Sequence, residues 1–167
     1  WSKLDTWIIL GSIVYVTLPI LLFFCGWLKL PLAILFSFVF LLFITHLSKS
    51  IKPDENSLIC KENCSYWITT LLIVILWAYM SGVGGFAFQN SDYWVRNPIF
   101  RDLSTYKWPV IYDLSKDTSV VQQITGSDTV AFSYYFAWWL PVAAISKLFA
   151  LGETARNLLL LIWAMVG

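Results

Sequence analysis

A chain of 167 residues that is 59% hydrophobic and only 13% charged, with a mean hydropathy of +0.71, has the composition of a membrane protein rather than of a water-soluble domain. Eleven Lys and Arg stand against ten Asp and Glu, so no net field gathers nucleic acid, and nucleic-acid binding is excluded as a function class. Any partner must be recognised by local sites, and a membrane lipid is the first one implied.

Trp1 stands where an initiating Met is expected, and the last apolar run, Asn157–Gly167, is shorter than the ~20 residues a bilayer needs. The expectation is a fragment of a longer protein. The first apolar segment has few positive charges before it and no small-residue cleavage signal, so it reads as a retained helix.

The first span is expected from Trp7 to Trp27, with Gly11 and Pro19 as places where it bends. Lys29 and Pro31 make a tight turn, and LAILFSFVFLLFI then runs to about Ile44, completing a helical hairpin. A polar connection, His46 to Ser65, follows; His46 in it reads as an interface residue. Three cysteines give no disulfide framework, and CKENC lacks the second pair or nearby His of a zinc site, so Cys25, Cys60 and Cys64 read as free thiols.

A third span is expected from Trp67 to about Met80, ended by Ser81-Gly82-Val83-Gly84-Gly85 because repeated glycines are costly in a helix. The connection from about Gly84 to Thr129 is too polar for hydrocarbon. Val130 to about Phe149 reads as a fourth span with Pro141 inside it and Asp128 as its cap, and a fifth begins after Thr154. The fold class is therefore all-α, a polytopic multi-pass protein of the cell membrane in three parts: residues 1–81, 82–129 and 130–167.

Short-loop charges set the orientation. With the amino terminus in the cytoplasm, Lys3, Lys49, Lys52, Lys61, Lys147 and Arg156 fall on that side and only Lys29 on the other, which makes 82–129 extracytoplasmic. Most of the ten tryptophans suit interface anchoring and helix packing: Trp7, Trp27, Trp67 and Trp108 lie near expected boundaries, and Trp138 and Trp139 lie deeper.

The chemistry is expected in the polar segment. Asn97-Pro98 reads as a cap followed by the first position of a short helix, IFRDL, with Ile99 and Leu103 toward lipid and Arg101 and Asp102 toward water or a cavity. Beyond it, WPVIY and SVVQQIT read as the strands of a hairpin turning at DLSKD. Asp92, beside Asn90 and Tyr93, can take a proton from an acceptor hydroxyl or help hold a divalent cation; equally, it can pair with Arg96 and stabilise the local fold. The forked donors of Arg96 and Arg101 suit a phosphate or pyrophosphate, and Asn90, Tyr93, Trp94 and Trp108 are candidate sugar or acceptor contacts. No catalytic triad or P-loop is visible.

GGFAFQNSDYWVRNPIFRDL, followed by KWPVIY and FSYYFAWWLPVAAISKLF, resembles the amino-terminal part of bacterial polytopic membrane proteins related to the GT-C glycosyltransferases, over about Gly82 to Phe149. The resemblance implies a multispanning enzyme that uses a polyprenyl-phosphate-linked sugar and keeps an acidic residue in an extracytoplasmic loop. That role falls on Asp92, with Asp102 as its substitute. Many such enzymes place the acidic loop after the first span, whereas two further spans precede it here. A lipid or sugar flippase and a noncatalytic membrane subunit are the alternatives.

Overall fold

The structure, a computed structural model, describes residues 3–50, 64–115 and 126–167. It is mainly helical, with one short two-stranded sheet among the described residues. Helices α1 (Lys3–Trp27) and α2 (Leu30–Ser50) form the expected hairpin, and both are long and apolar enough to cross a membrane. Pro19 does not interrupt α1. The two pack through Phe24 of α1 against Phe36 and Phe40 of α2, each at 5.9 Å between ring centres. Helix α3 (Cys64–Met80) is apolar but shorter, at 17 residues. Of CKENC, Cys64 is an exposed free thiol at the start of α3, and Cys60 lies outside the described residues.

The glycine run ends α3 as expected. Gly82, Gly84 and Gly85 all take positive φ, near +80°, through a single 3-10 turn at Val83–Gly85. A side chain at Gly84 would place its Cβ 2.6 Å from the Asn157 carbonyl oxygen, so glycine here also permits a close approach of two backbones.

Helix α4 (Tyr93–Thr105) begins five residues earlier than expected, and Asn97 and Pro98 lie inside it. The early start is held by the Asn90-Ser91-Asp92 turn, whose backbone carbonyls accept from the N–H groups of Tyr93, Trp94 and Val95. Pro98 lacks the N–H that would bond back to Trp94, a loss that falls beside one of the most exposed side chains. Ile99 and Leu103 do not face lipid. They are buried at 6% and 0% exposure against the next helices, and α4 packs most extensively on helix α5 (Leu140–Leu148).

The strands are β1 (Ile111–Asp113) and β2 (Thr129–Ala131), antiparallel with Ile111 opposite Ala131. The hairpin exists, but its second described strand is not SVVQQIT, which lies outside the described residues; it comes from the stretch expected to open a fourth span. Asp128 consequently precedes a strand and caps no helix, its carbonyl accepting from Leu114 N–H at 2.7 Å.

Residues 130–149 do not form one long helix. After β2 the chain runs in an extended and turning path, with Phe132 N–H bonded to the Val110 carbonyl, through a 3-10 turn at Ala137–Trp139 and then into α5. Pro141 lies in the first turn of α5, where its fixed φ and missing N–H suit a helix start. Nine helical residues span only about 14 Å, less than half a hydrocarbon core.

The path of this stretch follows from its contacts. Phe136 packs on Trp27 at the end of α1, whereas Trp138 donates its indole N–H to the Tyr15 hydroxyl at 2.7 Å. Tyr15 lies twelve residues before Trp27, about 18 Å down the helix. Helix α5 then returns: Lys147 donates to the Tyr106 carbonyl and sits 4.2 Å from the centre of the Trp108 ring. The chain goes in and comes back on the same side. Helix α6 (Glu153–Val166) descends again, stacking Trp163 on Tyr15 at 4.2 Å.

Two orientation markers move as a result. Lys147 and Arg156 were expected opposite the polar segment, but Lys147 bonds to it and Arg156 lies beside Arg101.

Candidate functional site

Helix α4 is fixed by the glycine turn before it. Tyr93 donates its hydroxyl to the Ser81 carbonyl at 2.6 Å, Gln89 donates to the Gly82 carbonyl at 2.7 Å, and the Asn97 amide donates to the Gln89 side chain at 2.8 Å. A chain of three polar side chains thus carries the position of the turn one helical turn into α4. On the far side, Leu103 and the fully buried Leu140 close the core.

Two adjoining cavities open between α4, the glycine turn and α6. The first, about 260 Å³, is lined by Tyr93, Arg96 and Asn97 on one wall and by Tyr135, Trp138 and Trp139 on the other. The second, about 200 Å³, is lined on its polar side by Asn97, Arg101, Glu153, Arg156 and Asn157. Gly84, Asn97, Phe100 and Leu160 belong to both, so Phe100 and Asn97 form the common wall. Deep apolar walls with a few convergent polar groups are the usual form of a small-molecule site.

Arg96 is the cation of the first cavity. Its guanidinium lies 3.5 Å from the Asp92 carboxylate, 5.6 Å from the Tyr93 ring centre and beside the Tyr135 hydroxyl. Tyr134 in turn donates to Tyr135 at 2.7 Å, and hydrogen bonding to Tyr135 raises the Tyr134 pKa.

The candidate residues from the sequence are only partly brought together. Tyr93 and Arg96 line the first cavity and Arg101 the second. Asp92 lines neither; it is well exposed, paired with Arg96, and its backbone N–H is held by the Asn90 side chain. Asp102 lies further along α4 and also lines neither: its carboxylate accepts from the Tyr112 hydroxyl at 2.7 Å and from Arg101 at 3.3 Å. Burial and the Asp102 carboxylate together push the Tyr112 phenol up to about 12. Trp94 is 84% exposed and stands apart. Trp108 donates to the Leu103 carbonyl at 2.8 Å beneath Lys147, a packing position.

Among the described residues no group of three or more His, Cys, Asp or Glu is placed to hold a metal ion. The residues that sequence reasoning missed are Asn97, Tyr135, Trp138, Glu153, Arg156 and Asn157. One signal was present for Arg156: a cation in the first turn of a helix opposes the helix dipole, which favours anions there. Its Nε is buried with no hydrogen-bond partner. Comparison with protein-family models, with curated proteins and with solved structures returns no match, so the site is read from its own geometry.

Proposed function

We propose that the protein is a multi-pass membrane transferase that takes a sugar from a polyprenyl phosphate for modification of a cell-surface polysaccharide or glycolipid. What carries this reading is the first cavity: a guanidinium, Arg96, and an amide, Asn97, face tryptophan and tyrosine walls where α3 ends and α6 begins its descent along α1. A phosphate needs the fork of Arg96, and a prenyl chain needs an apolar wall continuous with the membrane helices. The in-and-back run of residues 129–148 supplies that wall through Tyr135, Trp138 and Trp139.

In this reaction an acceptor hydroxyl oxygen attacks the anomeric carbon, the bond from that carbon to the phosphate oxygen breaks, and the carrier phosphate leaves with its negative charge stabilised by Arg96. The hydroxyl proton passes to Asp92, 3.5 Å from Arg96. On this reading the polar layer faces the extracytoplasmic side, where lipid-carried sugars are presented.

The test is transfer from a radiolabelled polyprenyl-phosphate sugar by the purified full chain in lipid nanodiscs. Asp92→Asn and Arg96→Gln are each expected to lower turnover at least about a hundredfold while the protein stays folded. Turnover retained in both variants would overturn the assignment. Carrier binding without any transfer would leave a carrier-binding subunit. Labelling of a cysteine at position 92 from the cytoplasmic side would remove the topology on which the reading depends.

A further inference from the structure

The second cavity has no task in the reaction as written, and its lining has an unusual composition. Two forked cations, Arg101 and Arg156, two amides, Asn97 and Asn157, and one carboxylate, Glu153, meet over the rim of the buried Phe100 ring. Glu153 suits the amino-terminal turn of α6, whose dipole favours an anion. Arg156, three residues on, works against that dipole and forms no ion pair among the described residues. Its guanidinium rests 5.8 Å from the Phe100 ring centre, and its buried Nε donates to nothing. A buried donor without an acceptor is costly, so the helix alone does not explain its position.

The charges choose between two kinds of occupant. A free phosphate would meet Arg101 and Arg156, but it would also meet Glu153, a carboxylate in the lining itself, which the first cavity lacks. With Asp102 and Glu153 against the two arginines the surroundings are neutral. An uncharged ring carrying several hydroxyls fits this set better, because each hydroxyl both donates and accepts. Glu153 accepts, the arginines donate, the amides do both, and Phe100 and Leu160 offer an apolar surface to ring C–H groups.

We infer that the second cavity is a monosaccharide subsite, with Glu153, Arg156 and Asn157 as its recognition residues. It rests on the proposed transferase only for the source of the sugar. Asn97, in the common wall, links it to Arg96: a sugar held here reaches its phosphate across the width of one side chain.

The experiment measures binding of free neutral hexoses, pentoses and N-acetylhexosamines to the full chain in nanodiscs by saturation-transfer NMR and calorimetry, with inorganic phosphate as competitor. At least one monosaccharide is expected to bind saturably, with affinity about tenfold weaker in Glu153→Gln and in Asn157→Ala, and unchanged by phosphate. Glu153 is exposed, so its amide variant keeps the fold, which unfolding midpoints verify. No saturable binding by the wild-type chain, wild-type affinity in both variants, or displacement by phosphate would each overturn the subsite. The two proposals fail separately. Sugar binding without transfer from the lipid carrier removes the transferase and leaves the subsite, whereas transfer with unaltered KM in Glu153→Gln and Asn157→Ala does the reverse.

Discussion

Helices α2 and α4 invert the usual relation between polarity and burial. Helix α2 is apolar along nearly its whole length, yet among its residues only Ala33 is buried. Helix α4 carries two arginines and an aspartate in thirteen residues, yet it buries Tyr93, Ile99, Phe100, Leu103 and Ser104. In water an exposed apolar face such as that of α2 would be a liability; in lipid it is the solvated face. The specific packing of this protein therefore belongs to its polar layer, and the apolar helices serve as the frame on which that layer rests.

The sharpest way to break this comparison is to truncate one side chain in each region. Leu103→Ala, in a site with no exposure, is expected to cost about 3 kcal/mol, whereas Phe38→Ala on the exposed face of α2 should cost less than about 1 kcal/mol. Reversible unfolding in mixed micelles measures both, and equal costs would show that α2 packs in the assembled protein. Next in size is Gly84→Ala: its positive φ and the 2.6 Å approach of the Asn157 carbonyl predict a loss of about 2 kcal/mol and closure of both cavities. Sugar and carrier binding should then fall together.

A smaller effect is expected where the layer reaches furthest down α1. Removing the hydrogen bond between Trp138 and Tyr15 by Tyr15→Phe should cost about 1 kcal/mol, and a double-mutant cycle with Trp138→Phe should return a coupling of similar size. Additivity would mean that the bond does not form in the bilayer. The smallest is a pH effect at the opposite edge. The Tyr112 phenol titrates near 12 in the folded chain and near 10 when unfolded, chiefly through burial and then through Asp102. Below pH 10 both states hold the proton and the stabilisation is complete; from pH 10 to 12 the unfolded chain releases it first, so stability falls. Tyr112→Phe should flatten that fall in unfolding midpoints measured across the window.

How much of this was legible from residues alone depended on what set each element. The hairpin of α1 and α2 is dictated by length and hydropathy, and the break after Met80 by glycines that only a turn needs. The start of α4 was misplaced because Asn97-Pro98 has the local chemistry of a helix start, while the earlier start depends on Tyr93 and Gln89 bonding back to the glycine turn. The stretch 130–149 has the hydropathy of a span, but its aromatics find partners at different depths along α1 and its backbone joins the β-hairpin. Pro141 carried the useful signal in that stretch: expected inside a span, it marks the beginning of a helix. Of the site, Arg96 and Arg101 were visible as cations in a polar segment. Glu153 and Asn157 were not, and Arg156 showed only as a cation set against its helix dipole, because the fold alone brings α6 against α4.

The returning half of the in-and-back run is pinned at both ends, by Trp138 on Tyr15 and by Lys147 on the Tyr106 carbonyl. Between these two pegs the number of residues is a ruler. Adding or deleting one amino acid would rotate α5 by about 100° relative to its neighbours and pull one peg from its socket. Substitutions are thus far better tolerated in this stretch than changes of length, and an insertion scan from Ala137 to Lys147 would mark its limits as two sharp edges.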